Sequence, residues 1–146
     1  MGEKPSEKPS EKPSEKPSES GLRVLVVDDS AVIRNLISVN LELEGFEVST
    51  AEDGESACAL VGVVKPDVVT LDVKMPRLDG FETVARLRDN PATAHIPIVI
   101  VSGRAHPVDF ARAEELGVEA YLTKPFEPAQ LVAIVVRLAA SARSRS

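Results

Sequence analysis

Two adjacent aspartates, Asp28 and Asp29, a third at Asp72, a serine at Ser102 and a lysine at Lys124 are the residues here with the clearest chemical potential. Each closes a short, β-branched apolar run: Leu22 to Val27, Val68 to Leu71, Ile98 to Val101, and Ala120 to Thr123. Runs without polar alternation read as strands buried on both faces. A carboxylate at the carboxyl end of such a strand sits where open α/β sheets bind ligands, whereas in mid-strand it would be a packing liability. Strands of one parallel sheet finish at one rim, so these residues should meet although they are far apart in sequence. Close carboxylates repel one another unless a hard divalent cation lies among them, and a few carboxylates plus water is the usual coordination of Mg2+. A carboxylate attacks an anionic phosphoryl group poorly until a metal and a fixed ammonium neutralise the charge spreading over the equatorial oxygens. The set therefore predicts Asp72 as a nucleophile that carries a phosphoryl group, with Mg2+ as cofactor and Lys124 as the ammonium. Ser102 would donate its hydroxyl to the attached group and so sense it.

The elements that must hold these residues are legible in order. Leu22 to Val27 is a strand, and Asp28-Asp29-Ser30 a turn with Ser30 as N-cap. Ala31 to Glu44 is helical with Ile33, Leu36, Ile37 and Leu41 inward, and Gly45 stands where a helix end favours positive φ. Phe46 to Thr50 is a second strand, followed by a helix from Gly54 to Val64 that Lys65-Pro66 stops. After the strand ending at Asp72, Asp79 caps a helix to about Arg88 with Phe81, Val84 and Leu87 inward. Ile98 to Ser102 is the fourth strand, Pro107 opens a helix ending near Leu116-Gly117, and Ala120 to Thr123 is the fifth. Pro128 opens a last helix to about Ser141. Five buried strands alternating with five helices give a doubly wound (βα)5 parallel sheet in the α/β class.

Length and composition bound the rest. With 146 residues and 43% hydrophobic content the chain can build one core. The expected organisation is a leader over residues 1–20, one domain over 21–141 and a short flexible tail over 142–146. Glu3 to Ser18 repeats Glu-Lys-Pro-Ser, with too little apolar content to fold, so the leader should be disordered. A formal charge of −6 argues against a nucleic-acid footprint. No apolar run is long enough for a membrane span or a secretory signal, which points to the cytoplasm. Cys58 is the only cysteine, so no disulfide or multi-cysteine metal site is available within the chain, and it reads as a small core residue. His95 and His106 lie in loops without ligand-spaced neighbours and should be solvated.

Four motifs carry a resemblance to the bacterial two-component response-regulator receiver domain. They are Val26-Val27-Asp28-Asp29, Leu71-Asp72-Val73-Lys74-Met75-Pro76-Arg77-Leu78-Asp79-Gly80, Val101-Ser102-Gly103, and Tyr121-Leu122-Thr123-Lys124-Pro125-Phe126. The likeness covers about Leu22 to Leu138. It implies a flavodoxin-like strand order 2-1-3-4-5, Asp72 as phosphoacceptor, Asp29 as a direct Mg2+ ligand, Asp28 as a ligand through water, and the Lys74 backbone carbonyl as a further ligand. It also implies Ser102 and Tyr121 as the switch pair, Lys124 as the phosphoryl-binding lysine, and a cis bond to Pro125. The phosphodonor would be a sensor histidine kinase or histidine phosphotransfer protein, and an unknown output protein would read the change. The expected function is a single-domain response regulator in a phosphorelay rather than a turnover enzyme. Two readings compete with it, an unphosphorylated receiver-like binding module and a Mg2+-dependent phosphatase-type hydrolase.

Two further features go beyond the motifs. Lys74 and Arg104 put basic side chains close in sequence to Asp72 and Ser102, where they could shield an acyl phosphate from water. In the last helix Leu131, Ile134, Val135 and Leu138 form the inward stripe, while Val132, Val136 and Ala139 form a second one that a single sheet face cannot cover. That second stripe predicts partner contact or a dimer through the last helix, and Val32, Val39 and Leu43 suggest a weaker one on the first.

Overall fold

The computed structural model describes residues 21–144, and the side chains up to residue 142. The expected disordered leader lies outside the described residues. The elements alternate as β1 (Arg23–Val27), α1 (Ala31–Leu43), β2 (Glu47–Ala51), α2 (Gly54–Val64), β3 (Val68–Leu71), α3 (Gly80–Asp89), β4 (Ile98–Ser102), α4 (Pro107–Glu115), β5 (Ala120–Thr123) and α5 (Pro128–Ser144). All four strand pairings are parallel, in the order β2-β1-β3-β4-β5. The (βα)5 expectation and the strand order both hold.

Each central strand sends alternate side chains to two cores. Leu25, Val27, Val69, Leu71, Ile98 and Ile100 pack against α2, α3 and α4 through Ala57, Val61, Phe81, Val84, Leu87 and Ala113. Val24, Val26, Val68, Val99 and Val101 pack on the other face against α1 and α5 through Ile37, Leu41, Leu131, Val135 and Ala139. Burial on both faces explains why β1, β3 and β4 lack a polar alternation.

The structure corrects several expectations. The five strands are not all buried: β2 is exposed or half-buried except at Ala51, and β5 except at Leu122, because both are edges. Phe46 is not in β2, since its N–H bonds to Leu41 O at 3.2 Å while the Gly45 N–H bonds to Glu42 O at 2.9 Å. That is a Schellman closure of α1, with Gly45 at φ 96°, and it takes the Phe46 amide away from the ladder. Leu36 faces outward at 40% exposure, and its expected core place is taken by Ser38, whose hydroxyl donates to Arg34 O at 2.7 Å. In α5 the fully buried ridge is Leu131, Val135 and Ala139, with Ile134, Leu138 and Val132 only partly covered. Of the supposed second stripe only Val136 stays exposed, since α5 packs along its i, i+4 ridge. The helix also continues to Ser144, through most of the expected tail.

Candidate functional site: an acidic rim with one lysine

The ladders extend past the strand ends and so fix the site backbone. The Asp28 N–H bonds to Ala51 O at 3.2 Å, the Asp72 N–H to Val27 O at 3.1 Å, and the Lys124 N–H to Ser102 O at 2.8 Å. With Val27 paired to Leu71 and Ser102 to Thr123, the next residues along, Asp28, Asp72 and Lys124, must share the rim. One oxygen from each of Asp28, Asp29 and Asp72 lies within 4.8 Å of the others. The Lys124 Nζ bridges two of them, 3.0 Å from Asp28 Oδ2 and 3.1 Å from Asp72 Oδ2.

Opposing electrostatic effects meet at the rim. Asp28 is buried, and burial raises its pKa, with the nearby Asp72 charge adding to the rise; the Ser30 N–H and the Lys124 ammonium offset part of it. Burial alone would lower the pKa of Lys124, but its bonds to Asp28 and Asp72 and their charges outweigh it, and the pKa is raised. The lysine is therefore held charged. Asp28 Oδ1 accepts the Ser30 N–H at 2.9 Å, Asp72 Oδ1 accepts the Lys74 N–H at 3.3 Å, and Asp29 is exposed. Three converging carboxylates form a hard oxygen donor set with room for solvent at its open side, which fits Mg2+. The Lys124-Pro125 bond is cis, as the resemblance implied.

Ser102 is fully buried at the end of β4, and its Oγ accepts the Arg104 N–H at 3.1 Å. Tyr121 lies one strand over, its hydroxyl donating to Arg104 O at 2.7 Å and its ring edge-on to Phe110 with centroids 4.6 Å apart. Burial and then the Asp109 charge raise the Tyr121 pKa, keeping the hydroxyl protonated as a donor. The residues singled out in the sequence thus fall into an acidic rim with its lysine and, beside it, a Ser102–Arg104–Tyr121 chain. The Lys74 side chain is exposed, while the Arg104 guanidinium pairs with Asp109 at 2.9 Å. His95 and His106 are exposed, and Cys58 packs half-buried against the core.

Several supporting residues were not foreseen. The Arg34 guanidinium donates to Asp28 O at 2.8 Å, holding the acidic turn against α1. Arg77, at φ 65° in the β3–α3 loop, pairs with Asp53 at 2.8 Å and ties that loop to the N-cap of α2. Asp109 was missed altogether. Its one sequence signal is an acid in the first turn after Pro107, which reads equally well as an ordinary helix start.

Known proteins are similar to this chain in sequence and in fold. The family model described as the response regulator receiver domain matches residues 24–136. The chain is 36% identical over 115 residues to protein PilG of Pseudomonas aeruginosa, covering 79% of this chain and 85% of PilG. It is 37% identical over 113 residues to the DNA-binding dual master transcriptional regulator RpaA of Synechocystis, covering 77% of this chain but only 47% of RpaA. The chain thus spans about half the length of that relative, and 25% of the response regulator PleD of Caulobacter vibrioides. The structure of the chemotaxis response regulator CheY4 of Vibrio cholerae superimposes with a TM-score of 0.75 at 35% identity, covering 80% of this chain and 98% of CheY4. Receiver domains generally bind Mg2+ at an acidic pocket and act as signalling modules rather than turnover enzymes. With that family's model running from β1 into α5 over a sheet of the same strand order, the chain belongs to the response regulator receiver domains, the phosphoryl-accepting modules of two-component phosphorelays.

Proposed function

We propose that Asp72 is the phosphoacceptor, receiving the phosphoryl group from the phosphohistidine of a sensor histidine kinase or a histidine phosphotransfer protein. An Asp72 carboxylate oxygen forms the bond to phosphorus as the phosphorus–nitrogen bond breaks, and the imidazole keeps the electron pair and takes a proton. The observation that carries this reading is the single ammonium of Lys124 set between Asp72 and Asp28, at 3.1 and 3.0 Å. It is fixed in advance where charge builds on the transferring group, and preorganised donors of this kind need no reorganisation during transfer.

Asp28, Asp29, Asp72 and the Lys74 backbone carbonyl would hold Mg2+, which when bound neutralises negative charge on the phosphoryl oxygens. Ser102 then hydrogen-bonds the attached group and Tyr121 follows it. The switch consists in an output partner's different affinity for the two states. Among the described residues no helix is long and apolar enough to cross a membrane, and a cytoplasmic setting accords with this reading.

Self-association through α5 is the second part of the reading. Leu43, Val132 and Val136 line a groove between α1 and α5, bordered by Glu44 and Arg137, so two copies related by a two-fold axis can set acid against base across it. No observation favours the phosphatase or the binding-only alternative.

Incubation with acetyl phosphate and Mg2+ followed by intact-mass measurement tests the assignment. The wild-type chain gains one phosphoryl mass and Asp72→Asn gains none. Equal labelling of both places the acceptor elsewhere.

A further inference from the structure

The start of α4 contains a buried charge that phosphoryl acceptance at Asp72 leaves unexplained. Asp109, in the first turn of α4, is 2% exposed. Its Oδ1 accepts from the Arg104 guanidinium at 2.9 Å and its Oδ2 from the His106 N–H at 3.2 Å. A carboxylate taken this far out of water is tolerated only when paired and hydrogen-bonded, so its burial depends on where Arg104 stands.

The ordinary explanation is that Asp109 caps α4 by accepting from His106. A cap needs no cation from the loop, however, and Arg104 is no ordinary loop residue. Its N–H donates to Ser102 Oγ at 3.1 Å, its carbonyl accepts from the Tyr121 hydroxyl at 2.7 Å, and its side chain is held by Asp109. One residue thus joins the end of β4, the middle of β5 and the start of α4. A displacement of Arg104 that follows Ser102 either breaks the Asp109 pair or carries α4 with it, and unpairing a buried carboxylate is the costlier course.

We propose that Asp109 is a positioning residue that, through Arg104, ties α4 to Ser102 and Tyr121, so that a change at the phosphoryl site reaches α4 along this connection. The proposal rests on the reading of Asp72 as phosphoacceptor and extends it by naming how the signal leaves the site in this chain. Asp109 touches no reacting atom; it acts through Arg104, whose N–H meets Ser102 Oγ.

The sequence supplies its own reporter, since Tyr121 is the only tyrosine and there is no tryptophan. Tyrosine emission of the full chain is followed during titration with beryllofluoride in saturating Mg2+. The proteins compared are wild type, Arg104→Ala, Arg104→Lys, Asp109→Asn and the Arg104→Ala/Asp109→Asn double variant. Mg2+ affinity without beryllofluoride and the thermal midpoint are measured on each.

Each of Arg104→Ala and Asp109→Asn is expected to weaken beryllofluoride binding about three- to tenfold, at the lower end of the range for coupled residues in contact, and to remove most of the emission change. The double variant should be no weaker than the worse single one, Arg104→Lys should recover part of the response, and Mg2+ affinity should stay at the wild-type value. Fully additive losses, or variants that respond like a responsive wild type, overturn the proposal alone. A wild type that neither responds to beryllofluoride nor labels at Asp72 overturns the phosphoacceptor reading, and this proposal with it. Should Asp109→Asn fail to fold, Arg104→Ala decides, because that side chain is 48% exposed and its loss leaves the helix cap in place.

Discussion

At the scale of single residues, the two basic side chains near the site have different fates. Arg104 is committed to Asp109, whereas the Lys74 side chain is exposed and paired with no acid among the described residues. Of the two, only the Lys74 side chain is left free to shield an acyl phosphate at Asp72 from water, which makes its role there a prediction. An exposed charge acting through solvent is worth about 0.2–1 kcal/mol, so Lys74→Ala should speed hydrolysis of phosphorylated Asp72 about one and a half- to fivefold. The decay of labelled protein, freed of donor, measures this, and an unchanged half-life removes the Lys74 side chain from the reaction, leaving only its backbone carbonyl a role. Arg104→Ala in the same assay separates shielding from the loop's own effect.

At the scale of elements, the site depends on how closely α3 approaches β3. Gly80 opens α3 with its N–H on Val73 O at 2.8 Å, and a Cβ there would meet Asp72 O, with Val73 Cα 2.6 Å away. Both neighbours are backbone, so neither can turn aside. Gly80→Ala should cost about 1–3 kcal/mol in chemical denaturation, the usual range for overpacking, and should slow labelling of Asp72 by displacing its carbonyl. Wild-type stability and labelling would show that the two segments can part freely.

A second inter-element tie makes stability depend on pH. The Ser56 N–H, then the Arg77 guanidinium, hold the Asp53 carboxyl below its ordinary range. A lowered folded pKa stabilises the fold above the unfolded value, about 3.9 for aspartate, and that contribution is lost as pH falls through the folded value. Asp53→Asn keeps an acceptor for Ser56 and loses the ion pair. It should be less stable than wild type at neutral pH, with the gap closing below about pH 4. Thermal midpoints across pH read this out, and a gap that persists in acid would assign the loss to packing.

At the scale of the whole molecule, the sheet divides the helices, with α1 and α5 on one face and α2, α3 and α4 on the other. Leu43 and Val136 are the outward apolar residues of the α1–α5 groove, at 79% and 40% exposure, while Val132 is partly within the core. Leu43→Glu with Val136→Glu therefore changes the surface without opening the interior. If copies pair here, wild type sediments as a dimer and this variant as a monomer, with Asp72 labelling unchanged. A monomeric wild type, or an unaffected dimer, moves the interface away from α5.

How much of this could be read in advance follows from the range of the forces involved. β-branched apolar runs ending in Asp28, Asp72, Ser102 and Lys124 specify their strands locally, and parallel strands necessarily finish at one rim, so the residues of the site were determined by the chain itself. Glycine and proline punctuation likewise placed α2 and β5 at their observed bounds. Which face α5 turns inward was a different matter, because its rotation is set by the surface it packs on; that put Ala139 in the core and left Ile134 and Leu138 at its margin. The exposure of β2 and β5 came only from their edge positions. The pairing of Arg104 with Asp109 and of Arg77 with Asp53 likewise required loops to be brought onto helices. A charge carries no mark of its partner until burial removes the water that would otherwise satisfy it, and only the folded arrangement decides where that happens.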